Sequence, residues 1–219
     1  MRTAFNLRRV KLSLILVFLA TLPAMAEGLW GVKASFDINK PGKWKAGDSS
    51  TTLYTSGLGF SVGGVYSHYF NDNLFLEPSL SVFYDANGCD FFIEEGMGRD
   101  YSPGIYKVGL RLPLVLGYTF DITDDFAVSV FTGPEFNYAF AGDYRWKERS
   151  IADLADELHL FGKEPGMMRR LSCSWKGGVG FPFSDWRVDF EAIVGVSDII
   201  VGPASTRENR FSLSLLRYF

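Results

Sequence analysis

The sequence predicts an all-β protein, an eight-stranded antiparallel up-and-down barrel whose strands cross a membrane after a cleaved leader. Three observations predict it. First, eight segments alternate apolar and polar residues with a period of two, which puts one oily face on each strand; together these faces are too many for one small soluble core. Second, several segments exceed the 5 or 6 residues usual in soluble strands and reach the ~9–11 that a tilted spanning strand requires. Aromatic residues gather near their ends, as in Tyr66, Tyr69 and Phe70, Tyr118 and Phe120, and Tyr218 and Phe219, which suits girdles at two membrane interfaces. Third, the connections run roughly 16, 3, 17, 5, 29, 3 and 10 residues, alternating long and short as in barrels with external loops and inner turns. With both ends on the short-turn side the strand number must be even.

The chain opens with Arg2, Arg8, Arg9 and Lys11, an apolar run from Leu12 to Leu22, and the small-residue site Ala24-Met25-Ala26. This is a secretory signal peptide cut after Ala26, its apolar run falling short of the ~20 residues of a spanning helix. Residues 1–26 are therefore assigned to the leader and 27–219 to one barrel domain. Losing four cations takes the net charge from −3 to about −7, so nucleic acid is not expected as a partner.

The first strand, Leu29 to Ile38, sets Trp30, Val32, Ala34, Phe36 and Ile38 against Lys33, Ser35 and Asp37. The second, roughly Thr55 to Phe70, opposes Leu58, Phe60, Val62 and Tyr66 to Gly59, Ser61, Gly63 and Ser67. The third, Leu74 to Asp85, opposes Leu76, Leu80, Val82 and Tyr84 to Glu77, Ser79, Ser81 and Asp85. In the fourth, Tyr106, Val108, Leu110, Leu112, Leu114, Leu116, Tyr118 and Phe120 share the apolar side, with Lys107 and Arg111 opposite. The fifth, Phe126 to Phe140, sets Val128, Val130, Phe136 and Tyr138 against Ser129, Gly133, Glu135 and Asn137. The sixth, Leu171 to Phe183, opposes Trp175, Val179 and Phe181 to Ser174 and Lys176. The seventh sets Val188, Phe190, Ala192 and Val194 against Arg187, Asp189 and Glu191. The eighth places Phe211, Leu213, Leu215 and Phe219 opposite Arg210, Ser212, Ser214 and Tyr218. Pro78, Pro113, Pro134 and Pro182 interrupt these segments, and because each removes a ladder donor, bulges or shortened pairing are expected there.

Several of these features together resemble the outer-membrane β-barrel family that includes PorT-like proteins, small eight-stranded barrels common in Bacteroidetes-type bacteria. They are Ala24-Met25-Ala26, Gly57-Leu58-Gly59-Phe60, Tyr69-Phe70 with Leu74-Phe75-Leu76-Glu77-Pro78, Leu112-Pro113-Leu114 before Gly117-Tyr118, and the terminal Phe219. The resemblance covers the whole mature chain and implies location and architecture more than activity. The ending is also similar to the signal read by the barrel-assembly machinery, carried by Phe211, Leu213, Leu215 and Phe219, with Arg217 departing from the apolar residue expected there. A lipid-facing Arg near an interface costs only ~0–1 kcal/mol.

An eight-stranded barrel is just wide enough for side chains to fill it. The inner faces hold Lys33, Lys107, Arg111, Lys176, Arg187 and Arg210 with Asp37, Glu77, Asp85, Glu135, Asp189 and Glu191. Charges so confined must be paired or hydrated, and six cations against six anions predict a plugged, charge-paired lumen; a gated ion path is the alternative. No cofactor or metal is expected. The two histidines, His68 and His159, fall at opposite ends of the barrel and cannot act together. Asp153, Asp156 and Glu157 near His159 could form an acid–base site, but Ile151, Leu154, Ala155 and Leu158 recur at helical spacing and suit a short amphipathic loop helix. The protein is accordingly expected not to be an enzyme. Export permits a Cys89–Cys173 disulfide, which would need the second long loop folded over the mouth. The partners expected are outer-membrane lipids, the assembly machinery during insertion and an unidentified external ligand of the loops, with the barrel a monomer. The rival reading is a secreted or periplasmic β-sandwich or lipocalin-like binder, since alternation alone fits any sheet with one buried face.

Overall fold

The computed structural model describes residues 28–41, 43–46, 49–52, 56–88, 104–123, 126–145, 157–161, 168–201 and 206–219. The leader assignment and Cys89 lie outside them. Eight long strands follow one another: β1 Gly28–Pro41, β2 Gly57–Tyr69, β3 Leu74–Gly88, β4 Gly104–Thr123, β5 Phe126–Arg145, β6 Leu171–Phe183, β7 Trp186–Gly195 and β8 Glu208–Tyr218. Each pairs antiparallel with its chain neighbours, and β1 pairs with β8 to close the ring. Closure leaves no sheet edge, so the backbone groups of the wall are paired strand to strand where hydrocarbon could not satisfy them. Among the described residues there is no helix, and the sandwich alternative falls with the closed ring.

The apolar faces turn outward, with Trp30, Phe60, Phe190 and Phe211 each more than half exposed. An apolar surface continuous round the wall is the mark of a membrane contact, since soluble monomers rarely expose contiguous patches beyond a few hundred Å². Phe70–Asn73 and Ser184–Asp185 make short connections at one end, the end at which Thr123 of β4 also pairs with Phe126 of β5. Ser184 has a φ of 52°, the positive value that a two-residue hairpin turn of the primed type demands.

Strand ends differ from expectation at the long-loop side. β1 runs on to Pro41, β3 to Gly88 and β5 to Arg145, so the sheet continues beyond the alternating core. Short strands also form in the loops: Lys43–Ala46 pairs with Ser49–Thr52, and Glu157–His159 adds to the overhanging end of β5. The helix expected through Leu158 is therefore not formed at that residue, because the β5 overhang offers a backbone edge that 157–159 pairs with. Residues 151–156 lie outside the described residues.

Three of the four prolines shorten the pairing as expected, none makes a bulge, and Pro182 departs from the expectation. Pairing lapses beside Pro78 between β2 and β3, beside Pro113 between β3 and β4, and beside Pro134 between β4 and β5, and it resumes in unchanged register each time; at Pro182 the β6–β7 ladder is continuous. The lost N–H removes a rung without adding a residue, so no bulge results. The register shifts occur elsewhere in the β4–β5 pair, at Val108/Gly109 and Asp121/Thr123, where Phe140 and Ile122 are the extra residues.

Candidate functional site

Inward parity brings side chains from seven of the eight strands to the barrel axis. Lys33 and Asp37 come from β1, Glu77 and Asp85 from β3, Lys107 and Arg111 from β4, Glu135 from β5, Lys176 from β6, Arg187, Asp189 and Glu191 from β7, and Arg210 from β8; none is more than 8% exposed. β2 contributes no charge. Its inner positions, Gly59, Ser61, Gly63, Val65 and Ser67, are small enough to leave room for the long side chains opposite.

All of these groups but Lys107 join into one chain of alternating sign. Starting near the short turns, Arg187 donates to Glu77 at 2.8 Å and through Nε and Nη2 to both oxygens of Asp189 at 2.8 and 3.0 Å. Lys33 lies 3.6 Å from Asp189 and 2.5 Å from Glu191, which also holds Lys176 at 2.8 Å. Lys176 reaches Glu135 at 4.0 Å, and Arg210 links Glu135 at 2.5 Å to Asp37 at 3.6 Å. Arg111 then bridges Asp37 to Asp85, the second contact being 2.8 and 2.9 Å. Hydroxyls take up remaining lone pairs: Ser67 and Tyr218 donate to Glu77, Ser212 to Asp37 and Ser214 to Glu191. Since breaking a buried pair leaves an uncompensated charge, each link holds the next in place.

Some lumen residues are absent from the sequence-derived set. Glu208 pairs with Lys107 at the long-loop mouth and adds a seventh anion to the expected balance of six; it sits where the alternation was read as loop. Toward the short turns, Phe75, Val115 and Phe131 form a buried apolar layer with Tyr69 against it. The Arg187 guanidinium lies 5.4, 5.5 and 5.7 Å from the ring centres of Phe75, Phe131 and Tyr218. The signal that could have revealed this layer is parity itself, because these apolar residues occupy polar-face positions in their strands. The charged side chains and rings fill the middle of the axis between a cleft of about 40 Å³ over Asp85, Lys107 and Arg210 at the long-loop end and a hollow of about 380 Å³ at the short-turn mouth. Planar-bilayer recording of the refolded protein is therefore expected to show negligible conductance; large reproducible open-channel currents would contradict a filled lumen.

At the long-loop mouth, described residues of the β5–β6 and β7–β8 connections come together. Ile105, Leu160, Met168 and Ile199 form a buried apolar cluster, with Phe161 and Ile200 packed against it. Backbone bonds tie it down: Leu160 N to Gly142 O, Met168 N to Leu160 O and Arg169 N to Ile199 O, at 2.7–3.1 Å. Arg170 donates to the carbonyls of Ala139, Phe140 and Phe161 and lies 5.1 Å over the Phe161 ring. The bulge at Phe140 turns a backbone carbonyl out of the ladder, and Arg170 takes it. This cap was not visible in the sequence, since its apolar residues are scattered singly through two loops.

The remaining candidates are dispersed. His68 sits at the short-turn end of β2, its ring 4.7 Å from Phe70, and His159 lies on the short strand at the other end. Asp153 and Asp156 lie outside the described residues, and among those described no group of three or more His, Cys, Asp and Glu could hold a metal ion. Cys173 is a free thiol whose backbone N–H donates to Ser197 Oγ at 2.7 Å, while its proposed partner Cys89 is not described. Phe211, Leu213, Leu215 and Phe219 project from the outer wall.

An apolar-walled, edge-free barrel of eight strands with a filled polar axis defines an integral membrane barrel. The family model described as outer membrane protein beta-barrel domain matches residues 25–201. The chain belongs to that family and is a protein of the bacterial outer membrane. Among solved structures, it is similar to the attachment invasion locus protein Ail of Yersinia pestis in complex with the heparin analogue sucrose octasulfate, with 13% identity, 88% of this chain and 99% of that one covered, and a TM-score of 0.45. OprG of Pseudomonas aeruginosa gives 12%, 89%, 96% and 0.46, and the outer membrane enzyme PagL 15%, 84%, 98% and 0.44. A search of curated protein sequences finds no match.

Proposed function

We propose that this protein is a non-enzymatic, PorT-like outer-membrane barrel with a plugged lumen, whose capped external loops bind a partner at the cell surface or in the envelope. The observation that carries the reading is the cap. Two loops are joined by backbone hydrogen bonds and an apolar cluster with Leu160 at 0% exposure, and Arg170 pins them to the rim. Ordering loops costs ~1–2 kcal/mol of backbone entropy per residue, and rigid loops on a rigid scaffold are where binding resides. The reading includes a leader cut after Ala26, recognition of the terminal strand by the assembly machinery, and a monomer in lipid.

Replacing residues 43–52 and 157–168 by short Gly-Ser linkers while keeping all eight strands tests it. Heat-modifiable gel mobility should remain, showing an inserted barrel, while retention of cells on a protein-coated surface falls. Unchanged retention together with raised detergent sensitivity would instead mark a barrel that only reinforces the envelope.

A further inference from the structure

We infer that Arg217, Trp186 and Phe219 form a phosphate-binding site on the outer wall for a phospholipid of the inner leaflet. Arg217 is the residue that departs from the apolar pattern of the last strand. It is exposed and on the lipid-facing side, one residue from the end of β8, with Trp186 as its cross-strand partner on β7 and Val32 on β1. The guanidinium lies 5.3 Å from the Trp186 ring centre and 5.5 Å from that of Phe219. It makes no ion pair among the described residues.

That combination separates Arg217 from every other barrel cation described. Those of the lumen are neutralised by carboxylates at the axis, whereas this one stands outside the sheet beside the Trp186 and Phe219 rings. A guanidinium beside aromatic rings and without a carboxylate partner keeps N–H donors to offer, and its planar fork matches a phosphate bidentately. Its height is decisive. The short turns and both strand termini lie at this end, so the residue is level with the inner interface, where aromatic rings sit at headgroup depth. Lipopolysaccharide occupies the opposite face and is excluded by position. Arg217, Trp186 and Phe219 stand on the rim of a hollow of about 380 Å³ that opens into the short-turn mouth of the lumen and is lined also by Tyr69, Ser129, Arg187 and Tyr218. Asp185 also borders it; its backbone carbonyl receives the Tyr218 N–H at 2.8 Å, and its carboxylate favours a headgroup that carries donors beside the phosphate, such as glycerol or ethanolamine.

The test uses the mature barrel refolded in dodecylmaltoside and titrated with dimyristoylphosphatidylglycerol, with retained lipid counted by native mass spectrometry. Arg217→Gln is expected to lower retention about fivefold, the order set by one basic side chain at an anionic surface, and Trp186→Leu to lower it less. Arg217→Lys keeps the charge but not the planar fork and should fall between wild type and Arg217→Gln. Dimyristoylglycerol, with the same chains and no phosphate, should not distinguish the variants, and Arg169→Gln at the far end should behave as wild type. Heat-modifiable mobility confirms folding for each; should Arg217→Gln fail it, the Lys variant decides. Equal retention by wild type and the position 217 variants, or an equal loss with dimyristoylglycerol, overturns the site.

Discussion

Arg187→Met should lower the stability of the inserted barrel by about 3–5 kcal/mol, the usual cost of removing one partner from a buried ion pair. The residue is 2% exposed and is the cation that Glu77 and Asp189 share near the short turns. Methionine fills much of the volume between the rings of Phe75, Phe131 and Tyr218 but removes the ion-pair partner of Glu77 and leaves Asp189 with Lys33 alone, at 3.6 Å. Arg187→Lys keeps the charge and loses the fork and the stacking, so its loss should be intermediate. The measurement is the urea midpoint of Trp fluorescence in phospholipid vesicles. The triple variant Arg187→Met, Glu77→Gln, Asp189→Asn should recover a good part of the loss, because removing a buried network whole costs less than breaking it. A midpoint unmoved by Arg187→Met would show that water, and not the arginine, satisfies these carboxylates.

Two adjacent glycines should give opposite results. Gly63 faces the lumen beside Lys33 and Ser81, and a Cβ there would run into the Leu80 carbonyl oxygen and the Ser81 backbone. Backbone in a closed sheet cannot step aside, so Gly63→Val should abolish the heat-modifiable folded band. Gly64 faces out, with open space around the corresponding position, and Gly64→Val should insert normally, valine suiting both strand and lipid. A folded Gly63→Val barrel would mean that the β2–β3 pairing is looser than the register implies.

Much of this architecture is legible in the sequence alone. The terminal strand shows why: Phe211, Leu213 and Leu215 alternate with Arg210, Ser212 and Ser214, and that period fixes which side each residue takes whatever its neighbours are. The same rule put the twelve charged residues on inner faces. It failed where local pattern carries no information about distance. Phe75, Val115 and Phe131 occupy the polar side as an apolar layer, Glu208 was hidden in what read as a loop, and Leu158, at helical spacing, pairs as a strand with the end of β5. The ladder gaps at Pro78, Pro113 and Pro134 were foreseeable as lost donors, but the bulges at Phe140 and Ile122 were not, since a bulge is a property of two strands in register.

By itself, then, the sequence determined a membrane barrel with a greasy outside and a charged inside, because side-chain direction along a strand depends only on odd or even position. The tertiary structure alone decided which charges meet. Lys33 and Glu191 are 158 residues apart in the chain and 2.5 Å apart across the lumen, a proximity set by the stagger and tilt with which eight strands close.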